Sequence, residues 1–395
     1  MIGQKWPSEI REFKDAKTGR TIKQLTNTGN NVHMYFTENS FDRDKNVIYF
    51  QSDRASGVDK APDEKPAYSL FRLDLGSGEI EQATDDVLSS SSMITKTPDS
   101  KLLAYVTDET AVKILNTETG ELTTIYQETE NFRIASVPSI APNRKYVAFA
   151  RNEIVAKPLQ KGGANYEGFA DRYYLTKDGR ITLAYLDGSG SFDVYRGTHQ
   201  LGHFQFAPDD STFGTFCHEG PWNLVTQRIW YFDFISREAT PCFRQGEIDS
   251  IGHEFWTQDG LMFFDNRGPG HDGTITSDRT QAVVTDVEVN QNDMIPFVGL
   301  MDKKGNVLKR IDMPFYCNHY HANPDNSLLV GDDVDDLVLV DISGEEVTLE
   351  VLVSDHGTSW HTQSSHCHPT WSWDGSRVLY ASDKGGRVQI YMVEV

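Results

Sequence analysis

The sequence predicts an all-β protein, a seven-bladed β-propeller with four-stranded antiparallel blades. The first observation is a hairpin signature that recurs at intervals of roughly 45 to 65 residues. Each turn is followed by a β-rich run such as Leu102 to Thr107, and most units add a second strand pair such as Ser69 to Gln82. Seven units of four strands are typical of a propeller. The turns lie at Phe41-Asp42, Pro98-Asp99, Pro142-Asn143, Pro208-Asp209, Gln258-Asp259, Pro324-Asp325 and Trp373-Asp374.

The seventh unit holds only three strands near the C-terminal end, predicted at Gln363 to Thr370, Arg377 to Ser382 and Val388 to Val395. We predict that an N-terminal strand, Thr21 to Leu25, closes this last blade. Residues 1–395 then form a single β-propeller domain, because a ring of blades grows as one continuous core. Residues 1–19 are predicted to be a surface extension.

Charge and composition restrict the partners. The net charge of -21 and the pI near 4.9 argue against nucleic-acid binding, because phosphate contacts need a basic surface. No apolar run is long enough to cross a bilayer, and Met1 to Phe13 lacks the hydrophobic segment of a signal peptide. The cysteines form no CxxC pair, which favours reduced, mostly buried thiols. We therefore expect a cytoplasmic protein without membrane or nucleic-acid partners. The four cysteines are Cys217, Cys242, Cys317 and Cys367.

Four histidines occupy one position of the repeat, six residues before the aspartate of the turn. In a propeller the first strand of each blade lines the central channel. We therefore expect these four imidazoles to converge at the axis. They are His203, His253, His319 and His368.

Loops between the second and third strands return to the same rim as the channel histidines. The long stretch Asn152 to Lys177 and the segment from His218 to Arg228 are two such loops. Long loops on one rim of a rigid scaffold usually build a binding site. Aromatic side chains there could stack on a ligand ring, although ordinary packing explains any single one equally well. The predicted substrate-binding residues are His203, His218, Trp222, Arg172 and Tyr173.

The segment from Gln363 to His368 resembles a metal site. His366 and His368 point the same way if the segment is a strand. Gln363 can add a carbonyl oxygen, and His319 can reach over from the preceding blade. Three nitrogens and one neutral oxygen suit Mn, Fe, Ni or Zn, and ligand type alone does not choose among them. An isolated His-x-His would more often be polar channel lining, whereas His319 in register favours a metal.

Two further residues suit the removal of a proton next to a carboxylate. His253 offers a base with a pKa near neutrality. Arg228 offers a planar, bidentate cation that can neutralise the carboxylate. Taken alone, each has a simpler interpretation: a channel residue for His253 and a salt-bridge partner for Arg228.

The order of these motifs resembles the oligogalacturonate lyases, a family of seven-bladed-propeller polysaccharide lyases. The similarity covers the whole propeller and is densest after Gly202. The matching motifs are Gly202-His203, Asp210-Ser211-Thr212, Cys217-His218-Glu219-Gly220-Pro221, Arg228-x-Trp230, His253-Glu254-Phe255-Trp256, Cys317-Asn318-His319 and Gln363-x-x-His366-x-His368-Pro369.

The resemblance implies a metal-dependent enzyme that acts on short acidic oligosaccharides from pectin. By similarity, β-elimination would give 4,5-unsaturated products, with His253 as the base and Arg228 offsetting the uronate charge. The divalent ion implied by the family is Mn²⁺, with His319, Gln363, His366 and His368 as ligands. The chain departs from the family at the short acidic link Asp332 to Asp336, where family members carry a longer insertion, so substrate length and sugar identity remain open.

Two other classes remain open from the residues. A propeller that serves only as an interaction module would need an exposed apolar or aromatic patch and no metal. A metal-dependent hydrolase or lactonase on the same fold would use an open metal position to activate water.

Overall fold

A computed structural model describes residues 2–134, 136–155, 168–221, 224–267 and 295–395. It is a seven-bladed β-propeller of small antiparallel sheets, which confirms the predicted fold class. Within the described residues, no helix is long and apolar enough to cross a membrane.

The described chain is built almost entirely of strands, with a few short helices. The strands are β1 (Lys5–Trp6), β2 (Arg11–Lys14), β3 (Thr21–Gln24), β4 (Asn31–His33), β5 (Val47–Ser52), β6 (Ser69–Asp74), β7 (Ile80–Gln82), β8 (Ile94–Lys96), β9 (Leu102–Thr107), β10 (Ala111–Asn116), β11 (Leu122–Gln127), β12 (Phe132–Ile134), β13 (Ser139–Ile140), β14 (Tyr146–Glu153), β15 (Gly179–Tyr185), β16 (Ser191–Gly197), β17 (Leu201–Ala207), β18 (Asp210–His218), β19 (Ile229–Asp233), β20 (Glu238–Pro241), β21 (Ile251–Trp256), β22 (Met262–Asn266), β23 (Phe297–Met301), β24 (Val307–Asp312), β25 (Tyr320–Ala322), β26 (Leu328–Asp332), β27 (Leu337–Asp341), β28 (Thr348–Val353), β29 (Thr370–Trp371), β30 (Arg377–Ser382) and β31 (Gln389–Glu394). The helices are α1 (Phe169–Leu175) and the 3-10 helices Pro62–Glu64 and Gln363–Ser365.

The strands form seven separate sheets, one for each predicted blade. Inner strands are buried on both faces: β9 reads LLAYVT with five of its six residues buried. Outer strands are half exposed, as in β11, because one side of the blade edge faces solvent. The strand orders are β1-β7-β6-β5-β4, β11-β10-β9-β8, β12-β14-β15-β16 with β13 also pairing β14, β17-β18-β19-β20, β21-β22-β23-β24, β25-β26-β27-β28 and β2-β3-β31-β30-β29.

The last blade is closed by the predicted N-terminal strand. β3 pairs with β31 in an antiparallel register that sets Ile22 opposite Val393. Residues 1–19, predicted to be a surface extension, also contribute two short edge strands: β1 pairs with β7, and the wholly exposed β2 pairs with β3.

One strand prediction is wrong. Gln363 to Thr370 is not a continuous strand, because Gln363–Ser365 forms a 3-10 helix and only Thr370 at its end belongs to β29. The Thr362 hydroxyl accepts a hydrogen bond from the Ser365 backbone N–H at 3.2 Å. Such local side-chain bonds compete with sheet pairing.

The chain divides into two compact units, and each has its own core. The first comprises Met1–Leu103, Thr117–Thr119 and Cys317–Val395; the second comprises Ala104–Asn116 and Gly120–Tyr316. Buried aliphatic and aromatic side chains fill the space between neighbouring sheets, such as Trp371 in the first unit and Phe216 in the second. The single-domain assignment stays a prediction.

Candidate metal centre and active site

Three of the four predicted metal ligands meet in the first unit. Ligand atoms of His319, His366 and His368 all lie within 4.8 Å of one another, and all three side chains are buried. The ring centroids of His319 and His368 are 4.3 Å apart, and the ring of His366 lies 5.5 Å from each of them. Three neutral imidazoles at this spacing suit a divalent transition metal, so the residues present fit the ion that the motif implies.

Asp332, at the end of β26, fixes the first of these ligands. Its carboxylate accepts a hydrogen bond from the backbone N–H of His319 at 2.6 Å and lies 2.8 Å from His319 Nδ1. Burial raises the pKa of Asp332, and the backbone N–H groups of His319 and His368 oppose that shift. With Nδ1 facing the carboxylate, the Nε2 lone pair of His319 is the one that can face a metal.

We expect Asp332→Asn to weaken metal binding by roughly 10- to 100-fold, because the carboxylate orients the ring and raises its basicity. Titration with Mn²⁺, followed by calorimetry, measures the change. Asp335→Asn, at an exposed position of the same acidic link, is the matched control. Equal affinities for the Asp332 variant and the control would contradict the role of Asp332.

Aromatic rings surround the histidine cluster. Tyr35 contacts the ring of His368 edge-on at 4.8 Å, and Phe36 lies 5.2 Å from the ring of His319. Trp360 lies 5.3 Å from His366, and its indole N–H donates to the carbonyl of Val334. This packing locks the rotamers of the imidazoles, which a metal site of defined geometry requires.

Gln363, the fourth predicted ligand, opens the 3-10 helix that leads into His366. The backbone N–H of His366 contacts the Gln363 carbonyl at 3.4 Å. The 3-10 helix therefore connects Gln363 directly to His366. Its role as a ligand stays a prediction.

The predicted base, His253, lies in β21 of the second unit beside a buried carboxylate. Its Nδ1 is 3.3 Å from Asp265 Oδ2, and Tyr316 donates its hydroxyl to the same oxygen at 2.8 Å. The guanidinium of Arg267 covers the Tyr316 ring at 4.3 Å. Because the carboxylate faces Nδ1, Nε2 is the nitrogen that can act as a base.

Arg228, the predicted cation, is almost fully buried just before β19. It donates to Glu219 Oε2 at 2.9 Å and to the carbonyl of Gly220 at 3.2 Å. Although burial alone would raise the pKa of Glu219, Arg228 and then His203 hold it below its usual value. A Cβ at Gly202 would stand 2.6 Å from Glu219 Oε1, so only glycine permits this close approach.

The predicted substrate-binding residues fall into three groups. His203 lies 3.4 Å from Glu219, next to Arg228. His218 stacks on Tyr173 of α1, with ring centroids 5.5 Å apart, and burial followed by the charge of His199 lowers the pKa of His218 to about 4. Arg172 also lies on α1, inside the stretch predicted to be irregular. Trp222 lies outside the described residues.

Three of the four repeat histidines share an unusual backbone conformation. His203, His253 and His368 have φ values of 48°, 46° and 44°. The first two lie at register shifts of their strands, between Gly202 and Gln205 and between Gly252 and Phe255. Left-handed backbone at a non-glycine residue costs of order 1–3 kcal/mol and persists where the surroundings fix it, often at functional sites. The convergence of all four histidines at one axis stays a prediction.

Sequence reasoning missed the carboxylates that hold these side chains. Asp332, Asp265 and Glu219 each come from the end of a second strand, opposite the histidine of the first strand. The sequence does carry a signal for them, because an acidic residue stands at the end of the second strand in three consecutive repeats. The sequence analysis names the histidines as predicted ligands and base, and it does not name these carboxylate partners.

The fold and the site define a seven-bladed β-propeller with a buried cluster of three histidines that could hold a metal ion. Comparison with known proteins identifies the family: the model described as oligogalacturonate lyase matches residues 1–395. The chain belongs to the oligogalacturonate lyase family, a family of enzymes, as the motifs predict.

Individual relatives match this chain over nearly their full lengths. The chain is 24% identical over 415 residues to the oligogalacturonide lyase of Pectobacterium atrosepticum and 23% identical over 414 residues to the oligogalacturonate lyase of Dickeya dadantii, covering 100% of this chain and 98% of each relative. A solved oligogalacturonate lyase in complex with manganese has a TM-score of 0.82 at 22% identity, covering 100% of this chain and 98% of its own. The oligogalacturonate lyase structure from Vibrio parahaemolyticus has the same TM-score and identity, covering 100% of this chain and 99% of its own.

Proposed function

We propose that this chain is a divalent-metal-dependent lyase that cleaves short oligogalacturonates from pectin by β-elimination. The observation that carries the proposal is the buried cluster of His319, His366 and His368 in a chain of this family. The manganese complex of a similar protein supports Mn²⁺ as the ion. A cytoplasmic location is also proposed, and the free thiols of all four cysteines support it.

The reaction moves one proton and two pairs of electrons, because the C4–O4 electrons leave with the oxygen. His253 Nε2 takes the proton from C5 of the uronate, the C–H electrons form the C4=C5 double bond, and the C4–O4 bond breaks. The leaving oxygen then accepts a proton. His253 is suited to the first step because Asp265 stabilises the imidazolium that forms.

Positive charge near the substrate carboxylate acidifies the C5 proton. A divalent cation held by His319, Gln363, His366 and His368 would supply Lewis-acid charge. Arg228 supplies a second, permanent charge, and Glu219 holds its guanidinium in a fixed orientation. A fixed cation stabilises developing charge without reorganisation.

We assign substrate binding to the residues near Arg228 and α1. His203 and Arg172 offer hydrogen-bond donors, and Tyr173 and His218 offer a stacked aromatic surface. His218 is neutral at pH 7, because its pKa of about 4 lies far below that pH. Trp222 completes the proposed set.

We expect Arg228→Lys to lower kcat/KM by roughly tenfold or more, because lysine cannot reproduce a planar fork bonded to both Glu219 and Gly220. Steady-state kinetics on oligogalacturonate measures the loss. Arg237→Lys, at an exposed position of the same unit, is the control. Near-normal kinetics of Arg228→Ala would exclude the charge-neutralising role.

Mass spectrometry of the products tests the proposed function against its alternatives. Digalacturonate and trigalacturonate are incubated with the protein and Mn²⁺, with and without a chelator. A lyase gives fragments whose masses sum to that of the substrate, and the chelator stops their formation. A hydrolase gives fragments that together exceed the substrate by one water, and an interaction module gives no fragments. Either of the last two results would refute the proposal.

A further inference from the structure

One side-chain pairing recurs in three consecutive blades. A carboxylate from the end of the second strand faces the histidine of the first strand: Glu219 faces His203 at 3.4 Å, Asp265 faces His253 at 3.3 Å, and Asp332 faces His319 at 2.8 Å. In the last two pairs the carboxylate contacts Nδ1. The fold therefore places a carboxylate beside the histidine in all three blades, and in two of them the carboxylate faces Nδ1.

The pair of His253 and Asp265, in the sheet β21-β22-β23-β24, is built around one oxygen atom. Asp265 lies in β22 opposite Gly252, and its side chain is only 2% exposed. Its Oδ2 accepts the hydroxyl of Tyr316 at 2.8 Å, while the Tyr316 oxygen lies 3.4 Å from His253 Nδ1. His253 and Tyr316 thus meet at the buried Asp265 carboxylate, where charge-assisted hydrogen bonds are strong.

We propose that Asp265 is the positioning residue that fixes His253 in the tautomer with its proton on Nδ1 and its lone pair on Nε2. The inference rests on the proposed function, in which His253 is the base. An ionised carboxylate only accepts hydrogen bonds, so the nitrogen that faces it must carry the proton. Tyr316 orients the carboxylate by donating to the oxygen that also faces Nδ1.

Two charged side chains close to His253 in the described part of the chain make contacts of their own. Glu254, the next residue, contacts the Cys217 thiol at 3.1 Å and the Gln205 amide at 3.3 Å. The Arg267 guanidinium lies on the face of the Tyr316 ring, 4.3 Å from its centroid. The backbone of His253 has a left-handed conformation, with φ 46°, that persists only where the surroundings fix it.

The tautomer can be read directly by long-range proton–nitrogen NMR on protein labelled with ¹⁵N-histidine. Zn²⁺ replaces Mn²⁺ in this experiment, because a diamagnetic ion leaves the signals near the metal visible. His253→Ala assigns the signal. The neutral ring of His253 is expected to carry its proton on Nδ1 in the wild type, and Asp265→Asn is expected to lose that pattern. A wild-type ring protonated on Nε2 would overturn the proposal, even if the variant fails to fold.

Kinetics supplies the second readout. Asp265→Asn should lower kcat by roughly 10²- to 10⁴-fold, with KM and bound metal unchanged, because the base presents the wrong nitrogen. Asp265→Glu should restore part of kcat, and Tyr316→Phe should retain the tautomer. Asp187→Asn, on an exposed turn of the same unit, is the control. An unchanged kcat in Asp265→Asn would overturn the positioning role.

The two proposals can fail separately. If the wild-type protein forms no unsaturated product, the proposed function fails. The tautomer measurement needs no substrate, so it still decides whether Asp265 sets the proton position on His253.

Discussion

His253→Ala is expected to reduce turnover of oligogalacturonate by at least about 10²- to 10⁴-fold, the contribution of a well-placed general base. The side chain is buried beside Asp265 and does not belong to the histidine cluster of the metal site. Bound metal should therefore stay at the wild-type level. Initial rates of product formation and elemental analysis of the purified variant measure the two quantities.

His361→Ala is the matched control for this variant, because His361 is exposed and has no assigned role. It should show wild-type rates and metal content. Loss of metal from the His253 variant would reassign that residue as a ligand. A wild-type rate would remove it from the mechanism.

His366→Ala is expected to release the divalent ion and to abolish activity. His366 is fully buried between Trp360 and the other two imidazoles, so no other side chain can take its place without rearrangement of this packing. At a metal concentration 100 times its Kd, binding should stabilise the wild type by about 2.7 kcal/mol. The variant should lose most of that gain.

Thermal unfolding with Mn²⁺ and with chelator measures this difference. The wild type should melt at a higher temperature with the ion, whereas the two curves of His366→Ala should nearly coincide. His361→Ala again serves as the control. A full complement of metal in His366→Ala would show that the ion is held elsewhere.

The architecture was predictable because the turns are periodic, and the meeting of His319 with His368 was predictable because both occupy one position of the repeat. Turns such as Pro98-Asp99 repeat with the blades, and the histidines repeat at one position of that unit. Periodic hydrophobic and turn signals are local, so a single sequence displays them. The closing strand β3 followed from the missing fourth strand of the last blade.

The segment before β29 was mispredicted because local bonds prevail over alternation there. Thr362 and Ser365 satisfy each other's backbone and side-chain groups in a 3-10 helix, and Pro369 offers no N–H for a ladder. His366 and His368 still meet, although a left-handed backbone at His368, not a strand, turns the second ring.

The carboxylate partners could not be predicted because they depend on strand register. Asp265 stands opposite Gly252 only because the register shifts between Gly252 and Phe255. Alternation of side chains does not reveal such a bulge. The sequence shows Asp332 only as the start of a short acidic link, whereas its carboxylate contacts His319 Nδ1.

The proposed β-elimination depends on removal of the C5 proton, and the fate of that hydrogen tests the proposal most directly. Digalacturonate carrying deuterium at C5 of the reducing-end ring, whose C4–O4 bond breaks and which becomes unsaturated, is converted by the wild type with Mn²⁺, and the mass of the unsaturated product is measured by mass spectrometry. β-elimination predicts an unsaturated product that has lost the deuterium. A cleaved product that retains the deuterium at C5 would contradict it.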